Sequence, residues 1–307
     1  MEAKPPTTFY APCRRIVVIG DVHGDLWVLI QALRGAGVIN QNLQWTAQPP
    51  DTTVVQLGDQ VDSALRGNIS PWEKIPDIDV LLFMNHLASI AAVHGGKVIS
   101  LIGNHELMNV FGSFEYVSPT SMALTGGQLQ RRARFAPGGD IALLLAQRPV
   151  VVRIGSFVFC HAGLLPDHIR KINGRIDMLN IVMYKVLRRF PIFQMDHEVL
   201  QEVIISMEGM LWTRKYFEAL QKPEEMSALA TEVTTLLNCK AIVVGHTVME
   251  HITPVSGGRI WFTDVGMSRS FGESQFVEVL EIWDDGVDLP ENDNACYRVL
   301  RVPLKKN

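Results

Sequence analysis

An α/β architecture is what this sequence predicts, and three observations lead to it. Short β-branched runs alternate with stretches of helical apolar spacing, no apolar run approaches the length of a membrane span, and polar residues cluster directly after the strand-like runs. The chain has 307 residues, 47% of them hydrophobic, enough to bury a large core as one large domain or two smaller ones.

The first unit is strand, loop, helix: "RRIVVIG" (14–20) is short and β-branched, "DVHGD" (21–25) is polar, and "LWVLIQALRGAG" (26–37) has helical spacing and ends in glycines. A second unit repeats the pattern. "TTVVQLG" (52–58) leads into "DQVD" (59–62), and after a proline-containing loop "IDVLLFMNHLASIAAVHGG" (78–96) reads as a long helix stopped by Gly95 and Gly96. "KVISLIG" (97–103) is a third strand, ending at "NHE". Later segments differ: "VVVRIGSFVFCH" (150–161) reads as a hairpin around Gly155 and Ser156, "KAIVVGH" (240–246) and "RIWFTD" (259–264) follow, and "QFVEVLEIW" and "CYRVLRV" close the chain as alternating strands. The second half is therefore expected to be more antiparallel, with a helical insertion over about 165–237. No internal repeat or linker divides the chain.

Several function classes are excluded. A net charge of -4 without a basic stripe argues against polymeric nucleic acid as a partner. Cys13, Cys160, Cys239 and Cys296 are widely spaced and form no C-x-x-C pair, which argues for reduced, mostly buried thiols. The start "MEAKPPTTFYAPC" shows neither an apolar signal core nor an arginine-rich transit pattern, so a cytoplasmic location and no membrane partner are expected.

Asp21 and His23, Asp59 and Asp62, Asn104 and His105, His161, His246 and, more weakly, Asp264 each follow a strand. In an α/β sheet such termini share one edge, so the side chains can converge without being sequence neighbours. The i, i+2 spacing of Asp21 and His23 places both on one side of an extended chain. A carboxylate with an imidazole suits zinc, manganese or iron better than calcium. One Asp-x-His alone is an ordinary turn or cap; five polar strand ends in one chain point to a common site.

The ordered series "GDVHGD", "GDQVD", "GNHE", "CHAGL" and "VVGHT" resembles the calcineurin-like metallophosphoesterases, and within them the phosphoprotein phosphatase superfamily. "RRARFAPGGDIALLLAQRPVVVRIG", "LWTRKY" and "DVGMSRSFG" most resemble the Shewanella-like protein phosphatase branch. The resemblance spans about residues 14 to 280. It implies a four-layer αββα sandwich with two central mixed sheets, a single domain over 1–307, and helical cap insertions at about 107–147 and 165–237. It also implies two divalent ions, manganese favoured over iron or zinc, with Asp21 and His23 on one, Asn104, His161 and His246 on the other, and Asp59 bridging. In such relatives a hydroxide between the ions attacks phosphorus in line.

Further roles follow from the same resemblance. His105 would protonate the leaving group with Asp62 orienting it, since in extended backbone its side chain points away from that of Asn104; Glu106 is expected to be structural. Phosphate-clamping arginines depart from the common pattern: "GDxVDRG" is here "GDQVDSALRG", with Ser63 in the arginine's place, and "LRGNHE" is "LIGNHE". Arg214 and Arg66 are the candidate clamps, Arg269 an outside one, and "QRRAR" (130–134) is expected to be a charged helix surface. Cys160 should point away from His161 into the core; His94, His168, His197 and His251 are read as surface or core residues. The expected activity is hydrolysis of phosphomonoesters on phosphorylated protein or peptide, on tyrosine or on serine and threonine. Cleavage of dinucleoside polyphosphates and a non-catalytic binding module are the alternatives.

Overall fold

In this computed structural model, which describes residues 4–63, 72–272, 274–283 and 297–304, two sheets stack face to face and are covered by helices on both outer sides. The six-stranded sheet has the order β1 (Phe9–Tyr10), β5 (Val151–Ile154), β6 (Phe157–Cys160), β7 (Ala241–Val244), β9 (Ile260–Phe262) and β8 (Thr253–Val255). The five-stranded sheet runs β11 (Tyr297–Pro303), β10 (Phe276–Trp283), β2 (Arg15–Ile19), β3 (Thr53–Gln56) and β4 (Lys97–Ser100).

Alternation along each strand sorts side chains into separate cores. Ile16, Val18 and Val55 point inward against Val152, Phe157, Phe159 and Val243 of the other sheet. Val17, Ile19 and Val54 point outward onto α1 (Leu26–Gly35) and α2 (Ile78–Val93). Both faces of these strands are thus apolar, which is why they read as continuous β-branched runs. The outer face of the second sheet, with Val151, Val158, Ile242 and Val244, is covered by α8 (Asp177–Leu187) and α11 (Pro223–Leu237). The four-layer αββα order expected from the sequence is present.

The stretch between β4 and β5 holds α3 (Asn104–Val110), α4 (Pro119–Leu124), α5 (Gln128–Phe135) and α6 (Asp140–Leu145). Between β6 and β7 lie α7 (Pro166–Lys171), α8, α9 (Gln194–Glu198), a π-helical turn at Val199–Ile204, α10 (Lys215–Ala219) and α11. Among the described residues no helix is long and apolar enough to cross a membrane.

The second half is more antiparallel than the first, as expected: β5 pairs antiparallel with β6, β8 with β9, and β10 with both β2 and β11, while β2, β3 and β4 run parallel, as do β6, β7 and β9. Two expectations are corrected. β10 is not a half-exposed alternating strand: it pairs antiparallel with both β2 and β11, and Glu278 and Glu281 are buried with it. The "QRRAR" segment is not simply a charged surface, since Arg131 is fully buried. Cys13 and Cys160 are buried and unpaired as expected, while Cys296 lies outside the described residues.

Glu281 tolerates burial because Arg15, on the neighbouring β2, donates to it from Nε at 3.0 Å and from Nη2. The same guanidinium reaches the carbonyls of Gln48 and Ala36. Removing one partner of a buried pair strands the other charge, at about 3 to 5 kcal/mol. Arg15→Met is therefore expected to lower the unfolding free energy in urea by that amount, and Arg15→Met/Glu281→Met to recover part of it; equal losses in both would show that the charge pair is not the cause.

Candidate active site

The loops after β2, β3, β4, β6 and β7 meet at one edge of the two sheets, and tight backbone contacts hold them. The Val22 and His23 N–H groups both donate to the Asp59 carbonyl, at 3.1 and 3.0 Å, and Gly24 N–H donates to the Gln60 carbonyl. Glu106, in the first turn of α3, accepts four backbone N–H groups: Gly103 (2.7 Å), Asp59 (2.9 Å), Gln60 (2.7 Å) and Val61 (3.2 Å). One carboxylate thus ties the β3 loop to the start of α3. The approach is close enough that a Cβ at Gly103 would lie 2.2 Å from Asp59 Oδ1, and one at Gly245 would lie 2.3 Å from Asp21 Oδ1.

Two local expectations fail here. Asn104 and His105 are not extended; they open α3, so their side chains diverge by the turn of a helix. Nor is Asp21–His23 extended, because His23 has φ +41°. Asp59 (+52°), Asp62 (+67°) and His246 (+64°) are left-handed too, so four of the nine such non-glycine residues among those described belong to this site. Each costs about 1 to 3 kcal/mol and persists only where the surroundings impose it.

The side chains form a gathering of acceptors. His23 Nδ1 lies 3.1 Å from the Asp62 carbonyl, His161 Nδ1 2.9 Å from the Leu57 carbonyl, and His246 Nε2 3.1 Å from the Trp212 carbonyl. A carbonyl only accepts, so each of these nitrogens carries the proton and the opposite ring nitrogen offers its lone pair inward. His161 Nε2 and His246 Nδ1 then face Asn104 Oδ1, at 2.8 and 3.0 Å, and Asp59 Oδ2 lies 3.3 Å from His161 Nε2. Lone pairs converge in this way around a cation, or around a proton added to His161. Asp21 accepts the His246 N–H on Oδ2 at 3.0 Å, while its buried Oδ1 has no hydrogen-bond partner.

Electrostatics agree with that picture. Burial, followed by the carboxylates of Asp264 and Asp59, holds the Asp21 carboxyl well above its ordinary value. Burial also lifts Asp264 to about 6. Burial works against the Asp59 anion too, but the imidazoles of His161, His105 and His23 outweigh it and keep that carboxyl well below the usual range. Burial and then His105 push His23 down to about 4, and burial and then His161 push His246 down to about 3, so both stay neutral with lone pairs available. Clustered buried acids, neutral imidazoles, an amide oxygen and an orphaned carboxylate oxygen fit divalent metal ions. Donor atoms close in two triads among the described residues, His23 with Asp59 and His105, and Asp59 with His161 and His246. The first contains His105 where the resemblance implies Asp21; the unpartnered Asp21 oxygen favours Asp21.

His105 Nδ1 bonds Asp62 Oδ2 at 2.8 Å, and its Nε2 lies 3.9 Å from Asp59 Oδ2. Burial opposes its charge, but Asp59 and Asp62 raise it to about 9; cations bound at Asp59 would act the other way. The cleft in front is about 990 Å³ and is bordered by Tyr116, Trp212, Arg214, Phe217 and Phe271. Tyr116 and Phe271 set their rings edge-on to His105 and His23, at 5.0 and 5.2 Å.

A model of the family described as calcineurin-like phosphoesterase matches residues 14–250. The chain belongs to that family. The phosphoesterase is 33% identical to an uncharacterised protein of Schizosaccharomyces pombe, over 90% of this chain and 78% of that one. It is 29% identical to Shewanella-like protein phosphatase 2 of Arabidopsis thaliana, over 95% and 81%. In fold it is similar to a cold-active protein tyrosine phosphatase of a psychrophilic Shewanella, with a TM-score of 0.74 at 21% identity, covering 97% of this chain and 83% of that one.

Sequence reasoning thus finds Asp21, His23, Asp59, Asn104, His161 and His246 in one cluster, with His105 and Asp62 beside it. Arg214 borders the cleft, where its Nη1 donates to the Thr247 hydroxyl at 3.2 Å. Arg66 lies outside the described residues. Arg269 is committed elsewhere: it forms a bidentate pair with Asp25, at 2.7 Å on each oxygen, and stacks on Trp27 and Trp72. Where arginine is usual, Ser63 is buried and turns its hydroxyl to Glu73.

Glu106→Gln replaces an oxygen acceptor by an NH₂ donor facing backbone N–H groups. We expect a loss of about 1 to 3 kcal/mol in unfolding free energy together with reduced metal content by elemental analysis; unchanged values of both would show that the four bonds do not set the loops.

Proposed function

We propose that this phosphoesterase is a metal-dependent protein phosphatase that hydrolyses phosphomonoesters on protein side chains, phosphotyrosine foremost. The observation that carries this reading is the 2.8 Å pair of His105 and Asp62 opening on the same cleft as the gathered donor atoms. The relatives named as protein phosphatases and the neighbour titled a tyrosine phosphatase support the substrate class. So does the aromatic border of Tyr116, Trp212, Phe217 and Phe271, whose ring faces suit an aryl leaving group.

Asp21 and His23 would hold one ion, Asn104, His161 and His246 the other, and Asp59 both. Divalent ions held there supply positive charge to the phosphoryl group and increase the acidity of water. Manganese, iron and zinc all suit this donor set, with manganese our first choice for loading. His105, its Nδ1 proton directed to Asp62, presents Nε2 to the cleft and delivers a proton to the departing oxygen. Arg214 is the cation placed to bond phosphoryl oxygens, a bidentate task suited to guanidinium. The buried left-handed loops keep these groups in position before substrate arrives, so little reorganisation accompanies reaction.

His105→Asn is expected to keep near-normal metal content while turnover falls roughly 10²- to 10⁴-fold, whereas His246→Asn loses metal. Elemental analysis beside a phosphatase assay checks both, and an empty site in His105→Asn would instead make His105 a ligand. On manganese-loaded enzyme, phosphotyrosine peptides should release orthophosphate faster than phosphoserine or phosphothreonine peptides of the same sequence; the reverse order would move the assignment to serine and threonine.

A further inference from the structure

Behind the His105–Asp62 pair lies a buried chain of hydrogen bonds that ends on an arginine. Arg131, on α5, is fully buried, and its Nη1 and Nη2 donate to the two carboxylate oxygens of Asp77 at 2.8 and 2.7 Å. Its Nε donates to Asn109 Oδ1 at 2.6 Å. Asn109, one turn after His105 on α3, donates from Nδ2 to Asp62 Oδ1 at 2.8 Å and to the His105 carbonyl at 2.9 Å. Asp77 in turn accepts the Asp62 backbone N–H at 2.9 Å and the Ser121 hydroxyl at 2.6 Å.

The direction of every link follows from the arginine. A guanidinium has donors and no acceptor, so the amide oxygen of Asn109 must face it and the NH₂ must face away. That NH₂ then occupies Asp62 Oδ1, leaving Oδ2 to accept the His105 Nδ1 proton, and Nε2 becomes the atom turned to the cleft. Were the amide reversed, its oxygen would oppose the Asp62 carboxylate, a repulsive contact in a site from which water is excluded.

We propose that Arg131, acting through Asn109, is a positioning residue that sets the direction of this hydrogen-bond chain and so aims His105 Nε2 at the leaving-group oxygen. The proposal rests on the reading of His105 as the leaving-group acid. A merely structural Arg131 would hold α5 against Asp77 without affecting proton delivery.

Leaving-group dependence separates the two. Loss of aimed proton delivery hurts substrates with basic leaving groups most, whereas a loosened fold hurts all substrates alike. The test compares kcat/KM on p-nitrophenyl phosphate and on an alkyl phosphate for metal-quantified wild type, His105→Asn, Asn109→Leu and Arg131→Lys. Asn109→Leu keeps the Arg131–Asp77 pair and is the variant that decides if Arg131→Lys fails to fold. Lysine keeps the charge but cannot bond Asp77 and Asn109 with one fork. We expect both variants to retain metal and to lose at least about tenfold more activity on the alkyl ester than on the aryl ester, within the 10²- to 10⁴-fold scale of general acid catalysis. Equal losses on both esters, or none, in Asn109→Leu or in folded Arg131→Lys would overturn the proposal if His105→Asn still steepens the dependence. If His105→Asn leaves the dependence unchanged, the acid role of His105 fails, and the proposal with it.

Discussion

Four backbone N–H groups from two different loops converge on the carboxylate of Glu106, and most of the site follows from that convergence. The bonds to Asp59, Gln60 and Val61 hold the β3 loop with its left-handed turn at Asp59, and the bond to Gly103, three residues back, caps α3 on the same carboxylate. The turn that satisfies Glu106 carries the Asp59 carboxylate to the middle of the cluster. Its carbonyl is left to take the Val22 and His23 N–H groups, which fixes the third loop. A single acceptor therefore bears on three loops through their backbone N–H groups.

Three buried carboxylates around the cluster are balanced by arginines. Arg15 neutralises Glu281, Arg269 neutralises Asp25, and Arg131 neutralises Asp77. Arg131 also lies 3.6 Å from Asp62 Oδ1, but none of the three pairs with Asp21 or Asp264, and Asp264 continues to raise the Asp21 carboxyl. Such frustration is characteristic of a site built for a cation that folding alone does not supply.

Much of this was legible in the sequence because polar residues after strands have few structural reasons to be there. Asp21, His23, Asp59, Asn104, His161 and His246 stand out against β-branched runs, and sheet topology brings strand ends together. What the pattern hid was conformation and partnership. No local signal distinguishes left-handed His23 from an extended one, because the cause is the carbonyl of Asp59, thirty-six residues on. Arg131 reads like Arg132 and Arg134 because its burial depends on Asp77 and Asn109, which come from other elements. The one available hint was phase: Arg131 sits four residues before the buried Phe135 and shares its helix face. Glu278 and Glu281 made β10 look half-exposed, since the arginines and histidine that compensate them lie on β2, β11 and the loop before β8.

The two halves of the donor set do not belong to the same layer. Asp21, His23, Asp59 and Asn104 hang from the five-stranded sheet, while His161 and His246 hang from the six-stranded one. Elsewhere the seam between the sheets is mostly apolar contact, which resists separation but is tolerant of sliding, with Glu278 on β10 taking the Ile252 N–H and facing His251 at its far end. A cation gripped from both sides works as a clasp on that seam, with directional bonds where dispersion forces have none. Occupancy of the site and alignment of the layers are then one equilibrium, and each reports on the other.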